Sequence, residues 1–312
     1  MIDDIRDKPY IVHNDVLGLN FIKDPGTYIY RRHYRQGLRS HIMEVLDPKD
    51  VENETKGIII DGLKLYSRAQ PLKMLRIFRS KFNTLRDAEK EVRKVKIIET
   101  YLAPDHIASS IEFIAHYTRS GKRVLLLCGL QEYANGEILD PWSHLDNDHL
   151  FLLLRDMKFE KVENTGMMTD QWIRSIREKT ENFIQKLKQM IMKTNYVPDL
   201  AGVGNLILNR SGNIKLVDIN NISNVHFDQN IHLDDRNYPV CDKSIEALSL
   251  LDQKLLNKPL QKNDFIYKTF LDPERMKNVQ AIDEEFHRSM QSKQRPSFEA
   301  RTGQNQNEFQ VS

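Results

Sequence analysis

Residues 199–222 read DLAGVGNLILNRSGNIKLVDINNI and contain two short apolar runs separated by a polar turn. The runs, residues 206–208 and 214–217, have the length of short β-strands. The turn between them is rich in Asn, Ser and Gly, which tolerate left-handed backbone conformations. The segment therefore predicts a β-hairpin closed by a tight turn.

Polar side chains stand at the open end of this hairpin. Asn205 directly precedes the first strand and Asp218 directly follows the second, so antiparallel pairing brings them to the same edge. Amide and carboxylate oxygens are hard ligands of the kind that suits Mg²⁺ bridging to phosphates. Asp199, upstream on the preceding loop, is a third polar group in this segment. The sequence therefore predicts a magnesium site at the open end of the hairpin.

The arrangement resembles the catalytic loop and metal-binding segment of the protein kinase-like superfamily. In that family a catalytic Asp, a metal-binding Asn, a hairpin and a metal-binding Asp follow one another. Asp199, Asn205 and Asp218 stand in this order, and the separation of 13 between the last two matches the family. The resemblance implies ATP and Mg²⁺ as cofactors, Asp199 as the base, and Asn205 and Asp218 as metal ligands.

Several features depart from the family pattern. A Val-Pro dipeptide precedes Asp199 in place of His-Arg, and the interval to Asn205 is six residues instead of five. Ile-Asn follows Asp218 in place of Phe-Gly, and the chain has no Gly-x-Gly-x-x-Gly motif. These differences favour an alternative, a catalytically inactive pseudokinase or scaffold. A further alternative is an ordinary hairpin of an α+β protein, in which Asp218 only ends a strand.

A strand predicted over residues 71–78 carries a candidate for the phosphate-binding cation. Period two puts Lys73 on one face with apolar residues, where a lysine needs an anionic partner. The resemblance implies that this lysine contacts the phosphates and pairs with a glutamate on the next helix, which is predicted to begin at Thr84. Glu91, 18 residues after Lys73, is the chosen partner. A lysine that extends to solvent is the alternative. The rival phosphate contacts are Arg76, Arg79 and Lys81.

A continuous apolar run over residues 124–130, which follows Arg123, is typical of a strand buried on both faces. The polar residues that follow it correspond to the hinge between the lobes in the resembled family. The resemblance therefore implies an adenine pocket near Leu130, Glu132 and Tyr133. A buried strand followed by an ordinary loop is the alternative.

The predicted fold is α+β, with the two lobes of a protein kinase-like protein. A long helix with an apolar stripe, predicted to start at Thr169, precedes the catalytic segment, and residues 220–238 are predicted to form a loop. The expected division is a lead-in over 1–27, a strand-rich N-lobe over 28–133, a mainly helical C-lobe over 134–285 and a disordered tail over 286–312.

Composition narrows the classes of partner. The 46 basic residues are nearly matched by 44 acidic ones, so charge does not indicate a nucleic-acid partner. No run approaches the roughly 18 apolar residues of a membrane span, and the first residues are charged where a signal peptide is apolar. We therefore expect a cytoplasmic protein without a membrane partner.

Two groups of possible metal ligands are interpreted as structural. The two cysteines, Cys128 and Cys241, have no metal-type spacing. The cluster of His and Asp over residues 144–149 lacks the His-x-His start of binuclear hydrolases and is interpreted as a polar loop or helix start.

The sequence thus predicts an ATP- and Mg²⁺-dependent phosphotransferase whose partners are a nucleotide and an unidentified hydroxyl acceptor. Besides the inactive pseudokinase, a binding protein is an alternative, because residues 90–96 form a basic helix segment that could contact acidic partners. Interspersed glutamates weaken the version of that alternative in which the partner is nucleic acid.

Overall fold

The computed structural model describes residues 4–35, 37, 39–119, 122–157, 165–261 and 263–294. An N-terminal region with an antiparallel five-stranded sheet is followed by a more helical C-terminal region. The prediction of an α+β protein with strands first and helices later is therefore confirmed.

The N-terminal region contains most of the strands. Its elements are α1 (His13–Leu17), β1 (Ile29–Arg32), β2 (Ser40–Leu46), α2 (Pro48–Lys56), β3 (Ile58–Ile60), β4 (Leu63–Leu65), β5 (Lys73–Phe78), α3 (Leu85–Leu102), β6 (Ser110–Arg119) and β7 (Lys122–Glu132). The main sheet has the order β1-β2-β5-β7-β6, and every neighbouring pair is antiparallel. Strands β3 and β4 form a separate hairpin. Helix α3 begins as predicted, because Thr84 Oγ1 accepts the backbone N–H of Asp87 at 3.2 Å.

The first residues of the chain cover one face of the main sheet. Leu75 and Ile77 of β5 are buried in a cluster with Ile5, Val16 and other N-terminal side chains. The segment 1–27, predicted as a lead-in, therefore contributes several buried side chains to the core of this region. Since strand side chains alternate, Met74 and Arg76 point to the opposite face of the sheet.

The C-terminal region is built around a long helix. Its elements are β8 (Glu137–Ile138), α4 (Asn147–Asp156), α5 (Thr165–Thr194), β9 (Tyr196–Pro198), β10 (Leu206–Leu208), β11 (Ile214–Leu216), β12 (Ile222–Asn224), α6 (Val240–Leu256), α7 (Phe265–Phe270) and α8 (Pro273–Gln294). The apolar stripe of α5, from Trp172 to Met190, is buried in the main core together with α6. The helix begins at Thr165, earlier than the predicted Thr169.

Three further predictions can be compared with the structure. Asp146 caps α4 by accepting the N–H of His149 at 2.8 Å, so the His and Asp cluster is a helix start, as predicted. The prediction of a loop over residues 220–238 is wrong at Ile222–Asn224, because these residues form β12, which pairs with β9. The predicted tail is also wrong over residues 286–294, which belong to α8, while residues 295–312 lie outside the described residues. No helix in the described ranges is long and apolar enough to cross a membrane.

The two regions are joined next to the predicted hairpin. Ile107 forms a parallel bridge with Leu216 of β11, and Leu216 exchanges backbone hydrogen bonds of 3.0 Å with His106 and Ala108. Helix α3 adds Val95 and other buried side chains to the C-terminal core. The connection between α3 and β6 therefore fixes the hairpin against the N-terminal region.

Candidate functional site

Strands β10 and β11 form the predicted hairpin. They pair antiparallel, with Leu206 opposite Leu216 and Leu208 opposite Ile214, and these four side chains are buried. In the turn, the N–H of Asn209 donates to the carbonyl oxygen of Asn213 at 3.0 Å. The prediction of a hairpin with a polar turn is confirmed.

Three candidate site residues meet at the open end of this hairpin. The N–H of Val217 donates to the carbonyl oxygen of Asn205 at 2.9 Å, which places Asn205 next to Asp218. The Asn205 amide Nδ2 donates to the carbonyl oxygen of Asp199, also at 2.9 Å. The structure therefore brings Asp199, Asn205 and Asp218 together, as the sequence predicts.

Two cavities meet at Asn205 and Asp218, and together we call them the cleft. The sheet-side cavity, of about 160 Å³, lies between the main sheet and the hairpin. The helix-side cavity, of about 540 Å³, is also lined by Asp199 and by the aromatic side chains Trp142 and Tyr238. A ligand in the cleft could therefore contact all three candidate residues.

The carboxylate of Asp199 is partly buried and held by three donors. Its Oδ1 accepts the backbone N–H groups of Ala201 and Gly202 at 3.0 and 3.1 Å, and its Oδ2 accepts Asn221 Nδ2 at 2.9 Å. Desolvation raises the pKa of Asp199 and the nearby charge of Asp218 raises it further, while the hydrogen bonds oppose part of this rise. A fixed carboxylate with a raised pKa is suited to accept a proton from a hydroxyl group.

Asn205 and Asp218 offer oxygen atoms to the cleft. Among the described residues, the Asn205 oxygen Oδ1 has no hydrogen-bond partner, and its Nδ2 is already used by Asp199. The Asp218 side chain is 36% exposed. One amide oxygen and one carboxylate are hard ligands for Mg²⁺, which usually takes one or two carboxylates and keeps several waters. This pair of side chains therefore fits the ion that the resemblance implies.

The cation that pairs with Asp218 is Arg76 and not Lys73. Lys73 is exposed at the start of β5, whereas Met74 and Arg76 face the cleft. Arg76 Nη1 lies 3.5 Å from Asp218 Oδ1 and donates to the carbonyl oxygen of Val217 at 3.2 Å. The choice of Lys73 is corrected because Lys73 lies on the opposite face of β5, on which Leu75 and Ile77 pack against the N-terminal residues.

The amide of Asn220 is a further partner of Arg76. With its oxygen turned towards the guanidinium, as hydrogen bonding requires, it accepts from Nη1 at 2.7 Å and from Nη2 at 3.3 Å. Asn220 stands where the resembled family has glycine. The departure from the family pattern therefore gives the buried guanidinium a neutral acceptor beside Asp218.

The predicted pair of Lys73 with Glu91 is not formed. Glu91 instead pairs with Lys94 of the same helix at 2.9 Å and lines a separate cavity of about 390 Å³, which we call the α3 cavity. A second carboxylate that acts on Arg76 through its charge is Glu112 on β6, whose side chain is buried and lies 3.7 Å from Lys96 Nζ. Sequence reasoning did not select Glu112, although a glutamate next to Ile111 and Phe113 in the predicted strand-rich N-lobe could have drawn attention to it.

Strand register explains how Arg76 and Glu112 come to share one site. Both lie opposite Gly129 of β7, one on each neighbouring strand. Gly129 has no side chain, and a Cβ there would lie 3.5 Å from Glu112 Oε1. Burial lowers the pKa of the Arg76 guanidinium, and the charges of Asp218 and Glu112 oppose that effect. The cation therefore pairs with the carboxylate on the hairpin and is stabilised at longer range by the charge of the carboxylate on the sheet.

Two of the three residues predicted to line an adenine pocket lie at the cleft. Glu132 and Tyr133 line the sheet-side cavity, together with Gln131, which sequence reasoning did not select. Burial raises the pKa of the Tyr133 hydroxyl. Leu130 instead packs against the N-terminal cluster, because it lies on the other face of β7 from Gln131.

The cleft thus combines a fixed carboxylate, two oxygen ligands and a buried cation from distant parts of the chain. Comparison with models of known protein families finds no match to this chain, and neither does a search of curated proteins.

Proposed function

We propose that this protein is a Mg²⁺-dependent phosphotransferase with a protein kinase-like, two-lobed fold, which transfers a phosphoryl group from ATP to an acceptor hydroxyl. One observation carries the proposal. Asp199, Asn205 and Asp218 stand in the family's order and meet in the cleft, opposite the buried cation Arg76. The five-stranded antiparallel sheet followed by a helical region supports the same fold.

Each side chain has a distinct role in this proposal. Asn205 and Asp218 would hold Mg²⁺, which supplies neutralisation of the phosphate charge when bound. Arg76 adds a permanent positive charge at the same place. Asp199 orients the acceptor hydroxyl and takes its proton as the new O–P bond forms and ADP leaves. The backbone near Glu132 and Tyr133 would contact the adenine in the sheet-side cavity.

Two observations favour a second candidate, a protein that keeps this fold as an inactive pseudokinase or scaffold. Arg76 Nη1 is 3.5 Å from Asp218 Oδ1, so the guanidinium already neutralises a proposed metal ligand. The sheet-side cavity of about 160 Å³ is below the roughly 300–1,000 Å³ of typical ligand pockets. Nucleotide binding would therefore require this part of the cleft to open.

Nucleotide binding is tested first, by thermal unfolding with ATP in the presence and absence of Mg²⁺. A ligand that binds only the folded state raises the unfolding midpoint. We expect a Mg²⁺-dependent rise in the wild type and in Asp199→Asn, and its loss in Asp218→Asn. Asp61→Asn replaces an exposed aspartate in the turn between β3 and β4, is the matched control and should behave as the wild type. No rise with any nucleotide would contradict the phosphotransferase and favour the scaffold.

Turnover separates the two remaining candidates. With a panel of hydroxyl acceptors, ADP release by the wild type should fall by about 10²- to 10⁴-fold in Asp199→Asn, the usual contribution of a general base. Mg²⁺-ATP binding without ADP release under any condition would instead identify an inactive pseudokinase.

A further inference from the structure

The segment that follows β12 carries a cluster of metal-ligand side chains. Among the described residues, His226, Asp228 and His232 each offer one ligand atom, and these atoms all lie within 4.8 Å of one another. His232 Nε2 is 3.1 Å from Asp228 Oδ2, and the rings of His226 and His232 are stacked at 4.2 Å. All three side chains are exposed, so an ion can reach them from solvent.

The backbone beneath this cluster is anchored on both sides of His226. The N–H of Val225 donates to the carbonyl oxygen of Asn195 at 2.8 Å, and Val225 is buried. Phe227 packs against Phe265 with ring centroids 5.0 Å apart. The alternation of inward Val225 and Phe227 therefore turns His226 and Asp228 outward together.

A buried ion pair fixes the rest of the segment. Arg275 Nη1 donates to the carbonyl oxygen of Asp228 at 2.6 Å, and Nη2 donates to that of Asn230 at 3.2 Å. The same guanidinium donates through Nε to Asp242 Oδ1 at 2.5 Å, and both side chains are buried. The loop between the two histidines is therefore already held in place by Arg275. An ion that binds there costs less conformational entropy than it would in a flexible loop.

We propose that His226, Asp228 and His232 form a binding site for a divalent transition metal ion of the Zn²⁺ class. Two imidazoles and one carboxylate are a three-residue ligand set that Zn²⁺ uses in proteins, with water in the fourth position. Imidazole ligands also separate this site from the oxygen-only pair Asn205 and Asp218, which suits Mg²⁺.

The position of the cluster gives such an ion a structural consequence. His226 and His232 line the α3 cavity, of about 390 Å³, which Glu91 and Lys94 of α3 also line. An ion held there links the two ends of the segment 226–232 at the edge of that cavity. Its binding stabilises this part of the chain, which is connected to the hairpin of the cleft through β12.

The test uses the full chain without a polyhistidine tag, first stripped with a chelator and then titrated with ZnCl₂ or CoCl₂ alone. We expect one equivalent of Zn²⁺ to bind, a Co²⁺ absorption band from imidazole ligands, and a raised unfolding midpoint with Zn²⁺. His226→Ala and His232→Ala should each weaken binding by more than the roughly 10- to 100-fold cost of losing an outer-shell partner. All three side chains are exposed, so these variants should fold, which their unfolding midpoints without metal will show.

Two controls make the result specific. His287 is 64% exposed and lies 3.1 Å from Asp283 in the same four-residue spacing, but among the described residues it belongs to no group of three metal-ligand side chains. His287→Ala should leave Zn²⁺ binding unchanged, and so should Asp218→Asn, which removes the proposed Mg²⁺ ligand. Absence of Zn²⁺ binding, or stoichiometric binding that survives both His226→Ala and His232→Ala, would overturn the proposal and leave an ordinary His–Asp pair. Neither outcome depends on whether the cleft binds ATP.

Discussion

Two hairpins in this protein have the same local design and opposite environments. Hairpins β3–β4 and β10–β11 each pair two three-residue strands antiparallel. Each turn contains a glycine at positive φ, +79° at Gly62 and +80° at Gly212. Yet Leu208 is fully buried, whereas Leu63 is 67% exposed.

The difference lies in what flanks each hairpin. Strand β10 also pairs with β8, and β11 contacts α5 and the connection between α3 and β6. Strands β3 and β4 pair only with each other in the part of the chain that the structure describes. Site geometry needs supporting contacts around it. The candidate site therefore lies on the hairpin that its neighbours hold in place, and matched substitutions can test how far the comparison extends.

The largest effect is expected at the cation that contacts the buried hairpin. Arg76→Ala removes a buried guanidinium that pairs with Asp218 and donates to the Val217 carbonyl oxygen, and breaking a pair with a buried member costs about 3–5 kcal/mol of the free energy of unfolding. Lys64→Ala on the exposed hairpin should change it by less than about 0.5 kcal/mol. Urea denaturation measures both variants. Equal effects would show that Arg76 is not a buried structural cation.

A core truncation should separate the hairpins next. Leu208→Ala removes a fully buried side chain and should lower the free energy of unfolding by about 3 kcal/mol, from lost burial and the cavity left behind. Leu63→Ala should cost no more than about 0.5 kcal/mol. The same urea titrations apply, and a large loss in Leu63→Ala would indicate that β3–β4 is covered in solution.

Substitution of the two turn glycines separates the cost of backbone strain from the cost of packing. Each Gly→Ala change places a Cβ on a left-handed residue, which costs about 1 kcal/mol. At Gly212 the new Cβ would also lie 3.2 and 3.3 Å from Ile176 Cγ1 and N, whereas at Gly62 nothing lies within 4 Å. Gly212→Ala should therefore cost about 2 kcal/mol, twice the loss in Gly62→Ala. Equal losses would mean that Ile176 of α5 shifts to admit the new Cβ without lowering the free energy of unfolding.

The smallest effect should have the opposite sign. The pKa of Asp199 is raised above its ordinary value of 3.8, mainly by desolvation, so between these two values the native state binds more protons than the unfolded state. The free energy of unfolding then falls as pH rises through that window. Asp199→Asn removes this loss, so without Mg²⁺ the stability of the variant relative to the wild type should rise as the pH rises from 3.8 towards neutrality.

Asp61→Asn is the matched control for this charge. Asp61 lies in the exposed turn at φ +50°, a conformation that Asn also tolerates, so its replacement should leave stability unchanged at every pH. Urea unfolding at several pH values compares Asp199→Asn and Asp61→Asn, each with the wild type. A stability difference between Asp199→Asn and the wild type that does not move in favour of the variant as the pH rises from 3.8 would contradict the raised pKa.

The sequence by itself determined the features that depend on neighbours along the chain. The turn residues 209–213 specified the hairpin, and its pairing brought Asn205 next to Asp218 because both flank the same two strands. Thr84 specified the start of α3 through its own side chain. These interactions span few residues, so residue type and spacing contain the information needed to predict them.

Only the tertiary structure decided which residues complete the site. The choice between Lys73 and Arg76 depended on which face of β5 the N-terminal residues cover, and no local pattern shows that. Glu112 joins Arg76 through strand register across Gly129, and these residues are brought together only when the sheet forms. The exposure of β3–β4 and the burial of β10–β11 likewise follow from distant segments, because burial depends on what packs against a strand and not on the strand alone.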